Sequence, residues 1–304
     1  MRDFDAQDYL DKKIVAINEF FTKNGLDSVV VGISGGVDSA VVLKLYVEAG
    51  LVIGSPIKQV RALKMPIHGN GVTGQHETLN KANMLEDSFK TSGSLSPGFL
   101  AWRTLDLTEA YNAMTDQIYP DKTDAWTNGQ MASVLRTPMF YYQAAIMQMA
   151  GLKSIVSGTT NRDEGSYIGF FGKASDGMVD IQPIADIHKS EVYKLADLLG
   201  VPKSITEDEP KGDVWDGRND EQMIGAPYWF LQEFIEARCV ILEEKKWDKW
   251  LNDHSDKEKI WINNIEKLHN TNKHKYQIIN NKLIPLGFAK YLDVKKRLIN
   301  VLEI

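Results

Sequence analysis

The residues whose types and spacing can do chemistry begin at SGGVDS, positions 34–39, which follow the run VVVGI at 29–33. A buried strand running into a turn of Ser, Gly, Gly and Val, and then into a helix, leaves several backbone N–H groups around one small cavity. The helix dipole lies behind them. Such a turn binds anions, phosphate above all. The stretch has neither the GxxxxGK[ST] of a P-loop nor the GxGxxG of a dinucleotide fold, so neither of those phosphate readings applies. A helix end contributes only about 0.3–1 kcal/mol at an exposed surface. A nucleoside triphosphate therefore calls for Mg2+, held by one or two carboxylates together with phosphate oxygens. Asp38, on the rim of the turn, is the natural first carboxylate; taken alone it reads equally as an acid stabilising the helix start. Glu164 is the second, against a solvated loop acid. Lys173, Lys189 and Lys211 can offset charge on a leaving pyrophosphate, although each by itself reads as a solvated surface lysine.

The elements that must hold these groups alternate between strand and helix. Residues 8–23 carry a helical stripe at Leu10, Ile14, Ile17, Phe20 and Phe21, stopped by Asn24-Gly25 before the opening strand. Further strands are predicted at 60–65, 102–107 and 154–157. Helices are predicted at about 77–88, near 131–149 and at 191–199, the last ended by Gly200 with Pro202 beyond it. The glycine-rich stretch 68–74, the connection 116–129 and the charged segment 207–221, with Trp215 inside it, read as loops. Ser255 followed by Glu258 is a capping box that opens a late helix. This alternation predicts an α/β fold: a doubly wound, mostly parallel sheet with ligands at the carboxyl ends of its strands. SGGVDS lies at such an end, and so does GTTNRDE, positions 158–164, after the fourth strand. Two polar turns at one sheet edge predict a composite site.

Composition narrows the class. The chain has 304 residues, 43% hydrophobic and 25% charged, as in an ordinary globular protein. Its net charge of −6 argues against nucleic acid as the main partner. No run approaches the roughly 18 apolar residues of a membrane span, and the polar start MRDFDAQDYLDKK is not a signal peptide. The single cysteine, Cys239, excludes internal disulfides and Cys-rich metal sites, and it lies in the apolar pattern FIEARCVIL as a core thiol. A reduced, cytoplasmic setting is the expectation. No repeat or low-complexity linker divides the chain, so a single domain is expected, with a core at about 26–230 and a helical C-terminal extension over 231–304.

SGGVDS after a strand resembles the pyrophosphate loop of the N-type ATP pyrophosphatases. Within that superfamily the later segments are similar to the NAD+ synthetases. GTTNRDE matches their GTxNxxE, and GFFGKASDGMVDIQPIADIHKSEVYKLADLLGVP matches GYFTKYGDGxxDLxPIxxLxKxxVxxLAxxLGVP. EPKGDVWDGRNDEQMIG resembles the loop that closes in LWxGQxDExxLG, and NKHKYQ at 272–277 is similar to a C-terminal HKR element. The resemblance spans most of 26–230 and returns near 274.

The resemblance implies a carbon–nitrogen ligase. ATP and Mg2+ would adenylate the carboxylate of deamido-NAD+ with release of pyrophosphate, and ammonia would then displace AMP to give NAD+. It implies that Gly32, Ile33, Ser34, Gly35, Gly36, Val37, Asp38 and Ser39 hold the ATP phosphates, with Thr159, Lys189 and Lys211 also on ATP. Asp38 and Glu164 would hold Mg2+, and Asp38 and Lys189 would carry catalysis. Arg136, Lys173, Asp180, His274 and Lys275 would bind deamido-NAD+. The chain departs from the family's NxxARxRM helix, which here reads MASVLRTPM and places Pro138 at the second arginine. The interval from Glu164 to Lys173 is one residue longer than usual, and Lys211 stands at a position of Thr or Ser. With no room for a glutaminase domain, free ammonia is the expected nitrogen source, or ammonia from a glutaminase subunit in trans. A homodimer is expected, with the stripe Met131, Val134, Leu135, Met139, Phe140 and Tyr142 as one candidate surface and ordinary core as the other reading. Two further readings stay open: another adenylating ligase of the superfamily, and an ATP-binding module without turnover.

Overall fold

The computed structural model describes residues 2–67, 75–92, 95–117, 124–208, 217–241, 244–275, 278–279 and 282–283. The chain opens with α1 (Ala6–Asn24), whose cap Asp5 accepts from the Gln7 and Asp8 N–H groups; Gly25, in the left-handed region at φ 61, ends it. β1 (Ser28–Gly32) follows, then α2 (Val37–Leu51), β2 (Gln59–Lys64), α3 (Gln75–Ser92) and β3 (Leu100–Thr104). The chain continues through α4 (Thr108–Thr115) and α5 (Ala125–Met149) to β4 (Ser154–Ser157). Beyond it lie α6 (Arg162–Gly165), α7 (Lys189–Leu198), α8 (Lys203–Thr206) and α9 (Asp220–Ile224). The last helices are α10 (Tyr228–Val240), α11 (Glu244–Asn252) and α12 (Asp256–Asn272), before a short antiparallel pairing of β5 (Ile278–Ile279) with β6 (Lys282–Leu283).

The four main strands run parallel in the order β3-β2-β1-β4. From β1 the chain winds outward to β2 and β3, then crosses back through α4 and α5 to place β4 on the other side of β1. This is the doubly wound arrangement, and the order reverses between β1 and β4. There the loops leaving the two strands diverge and open a crevice. Val29, Val30 and Val31 are fully buried because helices cover both faces of a parallel sheet. Val29 and Val31 face α1, α2 and α7, whereas Val30 packs with Leu63 and Val156 beneath α4 and α5. A third apolar cluster joins α10, α11 and α12 through Phe230, Phe234, Trp247, Ile262 and Ile265, and takes in Tyr167.

Several boundaries differ from the sequence pattern. β3 lies at Leu100–Thr104, two residues ahead of expectation, because its register with β2 pairs Leu63 with Arg103 and Lys64 with Thr104. α5 begins at Ala125, inside the stretch read as a loop, because Asp124 accepts from the Thr127 N–H and caps it. The charged segment likewise ends in a helix, α9, capped by Asn219. Pro138 lies within α5 on its exposed side, where water can take the carbonyl it leaves without a donor. The α5 stripe is divided: Leu135 is core and Phe140 lies against Gly32, whereas Val134 is 40% exposed and Tyr142 60%. Cys239 is half-buried, with the Arg162 guanidinium 3.4 Å from its sulfur.

A polar network behind the crevice ties α6, α7 and α10 together. His188, fully buried, bonds through Nδ1 to Asp163 Oδ1 at 2.6 Å and through Nε2 to Glu236 Oε1 at 2.9 Å. Arg162 donates to the same Glu236 oxygen at 2.9 Å. Asp163 Oδ2 accepts from the Lys189 N–H at 2.7 Å, and Glu191 accepts from the His188 N–H and from Arg2. Burial opposes a charged imidazole, but the bonds to Asp163 and Glu236 outweigh it and hold the His188 pKa above its ordinary 6.5. The His188 bond, against burial and helped by Arg162, holds Glu236 down at about 2 from 4.5. A raised histidine pKa gives stability present below pH 6.5 and lost as pH rises through the folded value. A depressed glutamate gives stability present above pH 4.5 and lost as pH falls toward 2. Chemical denaturation across pH is therefore expected to show greatest stability between 4.5 and 6.5. In His188→Gln the alkaline decline should flatten; an unchanged slope would remove His188 as its source.

Candidate active site

The crevice at the β1–β4 switch point is a cleft of about 1140 Å³. Its floor is the turn after β1. There the Ser34 hydroxyl accepts from the Gly36 N–H at 3.2 Å and lies 3.1 Å from the Ser39 hydroxyl, which donates to the Gly36 carbonyl at 3.0 Å. Glycine is required at Gly35, which adopts φ +87 and where a Cβ would stand 2.3 Å from the Thr78 carbonyl oxygen of α3. A Cβ on Gly32 would stand 2.5 Å from the tip of the Phe140 ring, which would have to move aside. The turn is thus held closely between α3 and α5.

Three elements bring charge to the mouth of this turn: Asp38 opens α2, Glu164 lies in α6 and Lys189 opens α7. The Lys189 ammonium, 5% exposed, donates to Asp38 Oδ2 at 2.5 Å and to Glu164 Oε1 at 3.3 Å. The Asn161 amide donates to Asp38 Oδ1 at 2.9 Å and to Glu164 Oε1 at 2.8 Å, while its own carbonyl caps α6. The Tyr228 hydroxyl completes the cluster, 3.0 Å from Glu164 and 3.3 Å from the buried Asp220. Burial disfavours the Lys189 charge, but Asp38, Glu164 and Asp220 more than restore it and hold the amine protonated. Burial pushes the Glu164 carboxyl up to about 8, with Lys189 pulling down and Asp38 pushing up. The Tyr228 hydroxyl is raised well above its ordinary value, first by burial and then by Glu164 and Asp220.

The structure gathers most of the residues expected from sequence. Gly32 through Asp38, Thr159, Glu164 and Lys189 line the cleft, with Arg136 and Lys275 farther along its walls. Arg136 donates from Nε to the Met65 carbonyl at 3.0 Å, and Lys275 donates to the carbonyls of Gly169 and Phe171. The longer interval before Lys173 does not displace Glu164, whose carboxylate faces Asp38 through the shared Asn161 and Lys189. Ser39 is buried beneath the turn rather than on its surface. Lys173, Asp180 and His274 are exposed and outside the cleft lining. Asp180 accepts from the Val156 N–H at 2.7 Å, and His274 Nδ1 lies 2.9 Å from the Thr271 carbonyl oxygen. Lys211, the stretch 68–74 and Trp215 lie outside the described residues.

Sequence reasoning missed Asn161, Asp220 and Tyr228 in the cluster, and Asp163 and His188 behind it. Asn161 carried a usable signal, since an Asn before a short acidic helix is a capping residue that can also reach outward. Lys64 and Lys81 also line the cleft unannounced. Lys64 ends β2 and donates to Glu86 at 2.5 Å and Asn83 at 2.7 Å. At the far wall, the Arg218 guanidinium lies 5.5 Å from the Trp126 ring centroid.

The donor set suits a hard divalent cation. Asp38 and Glu164 offer oxygen only, and their carboxylates are close enough to share one amide and one ammonium. Among the described residues no group of three or more His, Cys, Asp or Glu side chains is arranged to hold a metal. A cation bound here would complete its shell with ligand oxygens, as Mg2+ does on phosphates.

Comparison with known proteins places this geometry in a family. The model of the NAD synthase family matches residues 9–279. The NH(3)-dependent NAD(+) synthetase of Methanococcoides burtonii is 33% identical over 232 residues, covering 75% of this chain and 80% of its own. Among solved structures, the NMN synthetase of Francisella tularensis has TM-score 0.71 and 26% identity, covering 91% of this chain and 98% of its own. The NH3-dependent NAD synthetase of Campylobacter jejuni, at 21% identity, shares the fold with TM-score 0.66 and covers 91% and 99%.

Removing the central cation tests the arrangement. Lys189→Met leaves two partly buried carboxyl groups without their cation, and breaking a fully buried pair typically costs about 3–5 kcal/mol, an upper bound here. Melting curves should show that loss without divalent ion and a larger Mg2+-dependent recovery in the variant than in the parent. Equal responses to Mg2+ would separate the metal from this pair of acids.

Proposed function

The chain belongs to the NAD synthase family, and on that footing we propose that it amidates the carboxylate of deamido-NAD+ with ammonia at the expense of ATP. The observation that carries the reading is the convergence of Asp38, Glu164 and Lys189 beside the glycine turn at the switch point. The turn's N–H groups and the α2 N-terminus hold the ATP phosphates, with Thr159 and Lys189 alongside. Asp38 and Glu164 would hold Mg2+, which would supply charge neutralisation on the phosphates. Arg136 and Lys275 orient the acceptor along the opposite wall, so that its carboxylate meets the α-phosphate in line.

A carboxylate resists amines because its leaving group would be oxide. Attack of the carboxylate oxygen on the α-phosphorus forms an acyl-adenylate and expels pyrophosphate. Ammonia then adds to the acyl carbon, AMP leaves and one proton is lost. None of this needs a covalent nucleophile from the protein. Positioning two anions at once and neutralising their charge is the main task. Lys189, kept protonated by three acids, stays cationic as charge develops on the departing oxygen. The half-buried Cys239 lies on α10 beside Arg162, behind the cleft, which supports ammonia rather than a built-in glutaminase as the nitrogen source; a glutaminase subunit in trans is the other route. No helix among the described residues is long and apolar enough to cross a membrane, in keeping with a cytoplasmic enzyme. Exposed Val134, Tyr142 and Met149 on α5 support a homodimer through that helix.

A second reading is the amidation of a pyridine mononucleotide. It is favoured by the resemblance to the Francisella NMN synthetase and by Lys173 and Asp180 lying outside the cleft lining. The test is ATP–pyrophosphate exchange with each acceptor in turn. The first reading expects exchange with deamido-NAD+, and product formation with ammonium but not glutamine for the purified chain. Exchange stimulated only by nicotinate mononucleotide would select the second, and exchange with neither would remove both. Arg136→Ala should raise the KM for the acceptor about tenfold or more, the loss of one charged hydrogen bond, with the KM for ATP little moved.

A further inference from the structure

The outer wall of the phosphate turn is α3. The Thr78 carbonyl lies against Gly35 so closely that a methyl group would not fit between them. Lys81 is one helical turn beyond Thr78, hence on the same face of α3, and it lines the same cleft. Its side chain is 12% exposed. Its ammonium donates to Glu77 Oε1 at 2.9 Å and to Asp208 at the end of the segment that follows α8. Burial opposes this charge, but the bonds to Asp208 and Glu77 raise the pKa above the ordinary lysine value. The amine is therefore a full positive charge stored beside the turn.

The other lysines of the cleft wall are committed elsewhere. Lys189 is fixed between Asp38 and Glu164, Lys64 is fixed to Asn83 and Glu86, and Lys275 is turned to the carbonyls of Gly169 and Phe171. Both partners of Lys81 reach solvent, Glu77 at 60% and Asp208 at 32% exposure. Bonds to such partners contribute little and exchange readily, because water can solvate the acid that is left. A triphosphate seated on the turn brings several negative charges under α3, where the backbone N–H groups alone offset a small part of them.

We propose that Lys81 binds the pyrophosphate end of ATP. The ammonium exchanges Asp208 for a phosphate oxygen when the nucleotide seats, and returns to Asp208 as pyrophosphate leaves. No covalent bond forms to the lysine and no proton moves; the acid and the phosphate compete for one cation. Asp208 thereby sets how tightly the product is held. The inference rests on the ATP-cleaving reading and adds a residue to it.

Binding of magnesium pyrophosphate to the full chain, followed by calorimetry, tests this without turnover. In Lys81→Met the dissociation constant should rise about tenfold or more, as for loss of one charge-assisted hydrogen bond. Lys81→Arg should recover most of it, and Asp208→Asn should bind pyrophosphate more tightly than the parent. In steady-state assays Lys81→Met should raise the KM for ATP and weaken product inhibition by pyrophosphate, leaving the KM for the acceptor in place. If folded Lys81→Met and Lys81→Arg both bind pyrophosphate within about twofold of the parent, Lys81 is only a strap between α3 and the segment after α8. Absence of pyrophosphate binding to the parent overturns the proposal as well. Failure of the ATP-cleaving reading shows separately, as absent exchange with either pyridine nucleotide.

Discussion

The rest of the site depends on one buried ammonium. Lys189 is placed where two carboxyl groups meet; burial already pushes Glu164 up to about 8, and the ammonium is what draws it back towards a second charge beside Asp38. Bringing these charges out of water is expensive, and the geometry offsets that cost only because every group is held by a second bond. Asn161 bridges the two acids. The Lys189 backbone N–H is bound to Asp163, itself fixed by His188. The first turns of α6 and α7 are therefore locked together before any ligand arrives. Such an arrangement is rigid in position and adjustable in charge, which a site for successive anions requires.

The sheet explains why these residues meet. β1 and β4 are neighbours although the described chain between them contains two strands and four helices. Their carboxyl ends deliver Asp38 and Glu164 to one edge from positions far apart in sequence. The glycines of the turn let α3 and α5 close on it from either side, so the walls of the cleft are set by contacts at Gly35 and Gly32. The C-terminal helices extend the same logic. Their aromatic core takes in Tyr167, and from α10 and the turn after α12 they bring the Tyr228 hydroxyl to Glu164 and Lys275 to the cleft wall.

Much of this was legible in the sequence, and the reasons are local. The valine run, SGGVDS, the Gly25 stop and the Ser255 capping box each carry their structure in a few neighbouring residues. The start of α5 was not legible from apolar spacing because its first turns, AWTNGQ, include a glycine and no apolar repeat, and depend on the Asp124 cap. The register of β3 depends on β2, which periodicity within one strand does not encode. Within the site, Asp38, Glu164 and Lys189 could be named from motifs. Their shared partner Asn161, and Tyr228 and Asp220, are ordinary polar residues whose meaning comes from contacts across long stretches of chain. Lys173, Asp180 and His274 show the reverse. A motif can place a residue in order along the chain without saying whether its side chain reaches the cleft, and here those three lie outside the cleft lining.

That division separates the reaction from its acceptor. The residues nearest the phosphate turn form a closed, mutually bonded set, and any carboxylate presented to it in line with the α-phosphorus meets the same charges. Choice of acceptor must come from the walls, where the partners are looser. Arg136 donates to the Met65 carbonyl, Lys275 donates to two carbonyls, and the Arg218 guanidinium lies over Trp126. A mononucleotide needs one phosphate site and one aromatic contact from such walls, whereas a dinucleotide needs more of both. Pro138 bears on this difference, because it stands where a second cationic side chain would lengthen the basic wall. With that charge absent from α5, the recognition proposed for the acceptor rests on Arg136 and, from the turn after α12, on Lys275.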